Sequence, residues 1–300
     1  MPRPAPQKDD TMRLHDNPGA FGGLPEAPDF ASARFAVLPV PYEGTVTWLK
    51  GTALGPDAIL AASANMELYD IETGTEPWTH GIVTMAPVEA APTAEEMVKR
   101  IEAAAAPLYE AGKAVVGLGG EHSVTAGLVD AARAKYPNVT VLQLDAHADT
   151  RESYEGTPFN HACVMARVRE HCDIVQVGIR SMDASEAAAI RRSRIHYAHE
   201  ISDIPALAEA VLERLGDQVY ITVDLDVLDP SEMPSTGTPE PGGLRYRQVI
   251  DLLREVCRWR QVVGFDIVEL MPNENNRAPD FLAARMAYQI MAYMTAFAEE

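Results

Sequence analysis

Short apolar runs alternate with amphipathic segments along most of this chain. Runs rich in β-branched residues, such as 139–144, predict buried strands, whereas apolar positions at helical spacing, as in 246–259, predict amphipathic helices. By this pattern the strands cover 34–40, 113–118, 139–144, 174–178, 195–197, 218–225 and 262–268. The helices cover 55–68, 93–110, 123–135, 161–171, a short segment from 183, 203–215, 246–259 and 279–298. Residues 70–90 are irregular.

This alternation predicts one α/β domain over residues 34–300, with a mostly parallel sheet and helices on both of its faces. Residues 1–33 are rich in Pro and Gly, lack periodicity, and are predicted to form an N-terminal arm. In sheets of this class, functional sites form at the carboxyl ends of the strands. The residues that follow each predicted strand are therefore the first candidates for chemistry.

The stretch VTVLQLDAHADT, residues 139–150, begins as a buried strand and ends in ligand-type side chains. Asp145, His147 and Asp149 occupy alternate positions, and alternate residues of an extended backbone share a face. A solvated turn would explain the aspartates as well, because Asp is common in turns. The pattern favours a metal site in which the three side chains converge.

Three further strand ends carry ligand-type residues. His122 lies in GGEHS, Asp224 and Asp226 lie in DLDVLDP, and Glu269 follows the last apolar run. Each alone is more often a core histidine, a cap or a surface carboxylate. Together they form a set of carboxylates and imidazoles without thiols, which suits Mn²⁺ better than structural zinc. Two divalent ions would balance the four aspartates, and such a centre could activate a hydroxide.

The overall charge narrows the class of partner. The chain has 25 Lys and Arg against 44 Asp and Glu, a formal net charge of −19. This argues against nucleic acid and anionic membranes as partners and favours a small cation, although solubility alone would also explain it. An N-terminus without an apolar segment and three cysteines without metal-site spacing indicate a cytoplasmic protein.

Taken in this order, GGEHS, DAHAD, DLDVLDP and the Glu-bearing last strand resemble the ureohydrolase family of arginase and agmatinase. PYEGTVTWLKGTALGPDAI, EGTPFNHA, VGIRSMD and STGTPEPGGLRYRQV are most similar to bacterial and archaeal agmatinases and aminopropylagmatine ureohydrolases. The resemblance runs from about residue 35 to the C-terminus. It implies a three-layer α/β/α fold of the arginase/deacetylase type and a homotrimer or homohexamer.

The resemblance also implies two Mn²⁺ ions per subunit and a ligand set. The expected ligands are His122, Asp145, His147, Asp149, Asp224 and Asp226. Asp145 and Asp224 would bridge the ions, with His122 and Asp149 completing one site and His147 and Asp226 the other. Asp149 would also orient a bridging hydroxide, which attacks the guanidinium carbon to give urea and a free amine.

Two further residues match catalytic positions of the family. Glu269 matches the carboxylate that pairs with the guanidinium, a planar two-point contact. His161, in FNHA, matches the histidine that shuttles protons or protonates the leaving amine, a task suited to a near-neutral pKa. A histidine at a helix start is the structural alternative for His161.

The loop after DAHAD bears on the substrate. Residues 151–160, RESYEGTPFN, include Glu152 and lean acidic, and Asp183 could bind an amine or cap a helix. An acidic loop favours an ammonium tail, hence agmatine giving putrescine and urea, although Arg151 could bind a carboxylate. The alternatives are N1-aminopropylagmatine, giving spermidine and urea, and arginine or guanidinobutyrate. Polyamine biosynthesis is the implied setting. A non-enzymatic metal-binding relative and a zinc deacetylase fit the residues less well.

Overall fold

The computed structural model describes residues 20–24 and 28–298. Its strands are β1 (Phe35–Val40), β2 (Ile82–Thr84), β3 (Ala114–Gly119), β4 (Thr140–Leu144), β5 (Ile174–Ile179), β6 (Ile195–Tyr197), β7 (Gln218–Asp224) and β8 (Gln261–Val268). All pairs are parallel, and the strand order across this eight-stranded sheet is β2-β1-β3-β8-β7-β4-β5-β6. The order in which the chain adds strands to the sheet therefore reverses around the four central strands β3, β8, β7 and β4.

Helices cover both faces of the sheet. They are α1 (Gly55–Ser63), α2 (Ala94–Glu110), α3 (Thr125–Lys135), α4 (Val164–Val168), α5 (Ala184–Ala189), α6 (Ile204–Leu212), α7 (Tyr246–Trp259) and α8 (Ala278–Ala296). Leu142 packs with the apolar residues of α1, α6, α7 and α8, whereas its neighbour Val141 packs with those of α2, α3 and α4. This alternation follows from the strand pleat. The predicted three-layer α/β/α class is confirmed.

The N-terminal arm predicted for residues 1–33 falls largely outside the described residues, since 1–19 and 25–27 are not described. The described residue Phe21 is buried, and its N–H donates to Thr84 Oγ1 over 2.9 Å. The N–H of Gly22 donates to Ser63 Oγ over 2.9 Å. These residues are therefore held against β2 and α1.

No helix in the described part of the chain has the length and apolar character required to cross a membrane.

Most predicted elements agree with the observed ones to within a few residues, and three differ. The strand β2 lies inside the segment predicted to be irregular. The helix predicted over 55–68 ends at Ser63, where Ser63 Oγ and Asn65 Nδ2 donate to carbonyls of the preceding turn. The helix predicted over 161–171 is regular only in α4, because 161–163 form a tighter 3₁₀ turn capped by Asn160.

Candidate metal centre

Four neighbouring strands deliver the predicted site residues to one edge of the sheet. His122 follows β3, Glu269 follows β8, Asp224 ends β7, and the segment 145–149 follows β4. These strands are adjacent in the order β3-β8-β7-β4. Because parallel neighbours end at the same edge, their following side chains meet there.

One histidine lies among three carboxylates. The Nδ1 atom of His122 lies 3.0 Å from Asp145 Oδ2, 3.1 Å from Asp149 Oδ2 and 3.4 Å from Asp224 Oδ2. All four side chains are buried. Four ligand-type groups from β3, β4 and β7 thus surround one point.

A second histidine shares one of those carboxylates. The Nδ1 atom of His147 lies 3.0 Å from Asp226 Oδ2 and 3.6 Å from Asp145 Oδ1. Asp145 therefore presents one oxygen to each histidine. The ligand atoms of His122, Asp145 and Asp149 lie within 4.8 Å of one another, as do those of Asp145, His147 and Asp226. Asp224 contacts His122 but belongs to neither of these compact triads.

The backbone that brings these groups together is not the extended strand predicted from DAHAD. Strand β4 ends at Leu144, and Asp149 adopts a left-handed conformation with φ of 54°. Hydrogen bonds within the turn direct the carboxylate of Asp145, which accepts from His147 N and from Gln143 Nε2, each over 2.6 Å. Parallel pairing continues beyond β4 as an isolated bridge between His147 and Ser181, and the extended course is lost by Asp149, so the three side chains meet without lying on one regular strand.

Asp226 also lies beyond the end of its strand, β7. It lies in a 3₁₀ turn after β7, and its N–H donates to Asp224 Oδ1 over 2.9 Å. Gly120 in GGEHS lies directly against the backbone of Tyr42. A Cβ at Gly120 would lie 2.0 Å from the carbonyl oxygen of Tyr42, so glycine is required for close backbone approach.

The electrostatics of the cluster favour bound cations. Burial by itself lowers the pKa of His122, but the adjacent carboxylates of Asp145, Asp149 and Asp224 outweigh it and place that pKa well above its ordinary value. Burial raises the pKa of Asp224, and the charges of Asp226 and Asp145 raise it further. Buried carboxylates that repel one another are costly unless cations compensate them. Divalent ions would provide that compensation.

The orientation of His122 fits a metal ligand. Its Nδ1 is buried and forms no hydrogen bond among the described residues, although it faces the carboxylates. Its Nε2 lies 2.9 Å from Thr222 Oγ1, whose hydroxyl donates to Asp266 Oδ1 over 2.7 Å. Histidine ligands commonly have their second ring nitrogen held by such a partner. The residues present therefore fit hard divalent ions of the Mn²⁺ class.

A cavity of about 270 Å³ opens onto the cluster. The site residues that line it are His147, Asp149, His161, Asp224 and Glu269. The predicted catalytic pair, His161 and Glu269, thus faces the same space as the metal-ligand side chains. A small molecule in this cavity would contact both groups.

Glu269 lies at the wall of the cavity next to His122. Its Oε1 accepts from the N–H of His122 over 2.8 Å, and its own N–H donates to Gly120 O over 2.8 Å. Its φ is 65°. Burial raises the pKa of Glu269 to about 8, a rise that His161 opposes and Glu121 supports. A guanidinium group beside Glu269 would favour the charged carboxylate.

His161 is held by residues that the sequence analysis did not identify. Its Nδ1 lies 2.8 Å from the carbonyl oxygen of Thr45 and 3.6 Å from Glu121 Oε2. Burial lowers the pKa of His161, but Glu121 and the other nearby carboxylates outweigh it and raise the pKa to about 9. Glu121 is the central residue of GGEHS, so its position next to His122 was the available signal. Thr45 lies in the family-like stretch PYEGTVTWLKGTALGPDAI, but nothing in that stretch indicated a contact with His161.

The predicted substrate-tail residues separate into two groups. Glu152 does not line the cavity; its exposed carboxylate pairs with Arg167 over 3.0 Å and with Arg169. The structure therefore does not support Glu152 as a substrate contact. Asp183 does line the cavity, where it also caps α5 in the predicted capping box with Glu186.

Arg151 also lines the cavity, but its guanidinium is engaged. It lies 3.6 Å from Glu186 Oε2 and 4.0 Å from Asp183 Oδ2, and it stacks 4.7 Å from the ring centroid of Tyr154. It is the one basic Arg or Lys side chain among the described residues that line the cavity. The remaining charged lining is acidic or imidazole.

Comparisons with known proteins agree with this geometry. Residues 33–293 match the model of the arginase family. The chain is 43% identical to an N(1)-aminopropylagmatine ureohydrolase of Thermus thermophilus, over 89% of this chain and 92% of the relative. It is 40% identical to the enzyme of that name from Synechocystis sp., over 88% and 90%. The agmatine ureohydrolase structure of Thermoplasma volcanium superposes with a TM-score of 0.84 at 30% identity, over 91% and 93%.

Proposed function

The chain belongs to the arginase family and is a hydrolase of guanidino compounds, and we propose that it converts N1-aminopropylagmatine, and secondarily agmatine, to urea and the corresponding amine. The observation that carries the choice of tail is the engagement of Arg151 by Asp183 and Glu186. With that guanidinium paired, the charged lining of the cavity favours an ammonium tail over the carboxylate of arginine.

The order of the two amines differs from the sequence prediction, which put agmatine first. The two relatives at 40% and 43% identity are named N(1)-aminopropylagmatine ureohydrolase, whereas the agmatine ureohydrolase structure is 30% identical. The cavity is also lined by Thr47, whose neighbour Trp48 is exposed, so this loop would contact the far end of a longer tail. These observations support N1-aminopropylagmatine as the better substrate.

Each site residue receives a role in this proposal. Manganese ions held by the six predicted ligands would supply an activated water as nucleophile. Asp149, which faces both the cluster and the cavity, would accept a hydrogen bond from that water and aim it at the guanidinium carbon. Glu269 would pair with the guanidinium N–H groups and hold the carbon in place. His161 would donate a proton to the leaving amine as the C–N bond breaks.

The test is a side-by-side measurement of kcat/KM for N1-aminopropylagmatine, agmatine and arginine with Mn²⁺ loaded. We expect urea release in the order N1-aminopropylagmatine, agmatine, arginine, with arginine slower by about 100-fold or more because an ammonium-binding site rejects a carboxylate. A chain that prefers arginine would contradict the assigned tail. No urea from any of the three would contradict the proposed function itself.

The proposal also covers metal content, cellular location and oligomeric state. We propose two Mn²⁺ ions per chain on the basis of the family and the ligand count, a homotrimer or homohexamer on the basis of the family, and a cytoplasmic location on the basis of the three free cysteines. Residues 34–300 would form the catalytic domain and 1–33 an arm. Metal analysis of the purified protein would measure the number of ions, and one ion per chain would contradict the proposal of two. Light scattering on a size-exclusion column would measure the oligomeric state, and a monomer would contradict the proposed oligomer.

A further inference from the structure

The loop between β1 and α1 is tied to His161 through a single residue, Thr45. The N–H of His161 donates to Thr45 Oγ1 over 2.9 Å, and His161 Nδ1 lies 2.8 Å from the carbonyl oxygen of Thr45. A carbonyl oxygen only accepts, so Nδ1 carries the proton in this contact. The opposite ring nitrogen, Nε2, is thereby left for the cavity that His161 lines.

Thr45 is itself anchored to a buried carboxylate. Its hydroxyl donates to Glu121 Oε2 over 2.5 Å, and its N–H lies 3.2 Å from both Glu121 oxygens. Glu121 is fully buried and also accepts from Ser123 Oγ over 2.8 Å. Hydrogen bonds to a buried charged acceptor are among the stronger ones in proteins. Thr45 therefore has little freedom to move relative to β3.

The hydroxyl of Thr45 uses both of its capacities in this arrangement. It donates to Glu121 and accepts from the N–H of His161, so one atom connects the segment after β3 with the start of the His161 turn. The loop is fastened separately at its other end, where Glu43 Oε2 accepts from Gly51 N over 2.7 Å. Loss of the Thr45 hydroxyl would remove the contact to the His161 N–H and the anchor to Glu121, so the Thr45 carbonyl that faces the His161 ring could shift without freeing the whole loop.

We propose that Thr45 is a positioning residue for His161. It holds the imidazole ring so that Nε2 faces the leaving amine of the substrate. The inference rests on the proposed function, in which His161 protonates that amine. Thr45 contacts Glu121, Asn160 and His161, and it does not line the cavity. Its contribution is made through the backbone and ring of His161, so it should affect the chemical step more than substrate binding.

The test compares kcat and KM of three variants with N1-aminopropylagmatine or agmatine, whichever the unaltered protein hydrolyses faster, with Mn²⁺ loaded. Thr45→Val removes the hydroxyl and should lower kcat by about 10- to 100-fold, the range expected for a misplaced catalytic group, with KM changed by less than about threefold. Thr45→Ser retains the hydroxyl and should restore most of kcat. Thr52→Val is the matched control, since Thr52 is buried in the same loop and its hydroxyl has no hydrogen bond among the described residues.

A double-mutant cycle with His161→Ala separates positioning from a general structural role. If Thr45 acts through His161, Thr45→Val should lower kcat by less than about twofold once His161 is already alanine. The full Thr45→Val loss persisting in the His161→Ala background would overturn the proposal. So would a Thr45→Val variant with wild-type kcat. Manganese content and Tm of each variant would identify a loss caused by misfolding.

Failure of the proposed function would be visible separately, as absence of urea from the unaltered protein. In that case crystal structures of the unaltered protein and Thr45→Val still decide the proposal. A displaced or rotated His161 ring in the variant supports it, and an unchanged ring overturns it.

Discussion

Asp149 and Glu269 carry their carboxylates on left-handed backbone, with φ of 54° and 65°. Residues other than glycine seldom adopt this conformation, and it costs on the order of 1–3 kcal/mol each. Both residues follow a parallel strand and line the cavity. The chain must turn sharply at these points for Asp149 to reach His122 and for Glu269 to accept from the His122 N–H. Two of the three described non-glycine residues with positive φ thus lie in the site, and the third is the exposed Glu155.

Asp145 is the residue on which metal binding should depend most. Its two oxygens lie in the two different triads, next to His122 and next to His147. Loss of a residue that only supports a ligand typically costs 10- to 100-fold in metal affinity, so a shared ligand should cost more than about 100-fold. Asp145→Ala should therefore lose manganese and urea release together. Metal analysis after dialysis measures the first, and full manganese content in the variant would refute the ligand assignment.

Glu152→Gln provides the comparison for Asp145→Ala. The Glu152 carboxylate is exposed and pairs with Arg167 and Arg169 outside the cavity. Exposed ion pairs contribute about 0–1 kcal/mol, so this variant should keep its manganese, its kcat and its KM.

Several residues that hold the site in place were beyond prediction from sequence. The ligand-type residues could be predicted because His and Asp side chains are common metal ligands and lie at the ends of predicted strands. Thr45 and Arg180 act by hydrogen bonds to backbone groups of distant segments, and Thr45 lies 116 positions from His161. No periodicity or local motif encodes such a contact. Glu152 shows the converse, since an acidic residue in the correct loop points to two arginines instead of the cavity.

At the scale of elements, the parallel sheet explains why a fold prediction also predicted the site. Apolar runs identified the central strands β3, β4, β7 and β8, and parallel pairing brings their carboxyl ends together. The short strand β2, Ile82–Thr84, escaped detection because three residues carry no periodic signal. The turns after β4 and β7 were predicted as extended because the hydrogen bonds of Asp145 and Asp224 to the following backbone are not visible in a pattern.

The turn that carries Asp226 is held by Arg180, which follows β5. The Arg180 guanidinium donates to the carbonyl oxygen of Asp226 over 2.6 Å, to that of Leu228 over 3.3 Å and to that of Glu240 over 2.8 Å. It thereby links the turn 225–228 with the segment at Glu240. A planar guanidinium can satisfy several carbonyls at fixed angles, which a lysine ammonium cannot reproduce.

Arg180→Lys should accordingly weaken manganese binding near Asp226. We expect a loss of about 10- to 100-fold in the affinity of the weaker-bound ion, the range typical of residues that orient ligands. Titration of metal-free protein with Mn²⁺ measures this without reference to activity. Arg192→Lys is the control, because Arg192 pairs with the exposed Glu200 and donates to the Ile195 carbonyl away from the site. Equal affinities in the two variants would contradict the role of Arg180.

For the whole molecule, the net charge of −19 and the carboxylate-rich cavity have the same sign. A negative field of this kind raises the local concentration of a cation and its association rate. Its contribution to encounter decreases with added salt, since the screening length is about 10 Å at 0.1 M and about 3 Å at 1 M. The same charge would also keep the protein soluble, so the two contributions must be separated by a rate measurement.

We therefore predict that kcat/KM falls as NaCl increases, and falls more steeply for N1-aminopropylagmatine than for agmatine. The first substrate carries one more amino group, so a field that steers cations acts on it more strongly. Measured from 0.02 to about 0.5 M NaCl, the decrease should reach about tenfold or more, within the 10- to 10³-fold range of electrostatic steering. The internal control is kcat at saturating substrate, which does not contain the encounter step and should change by less than about twofold. Parallel slopes for both amines, or a flat kcat/KM, would assign the acidic surface to solubility alone.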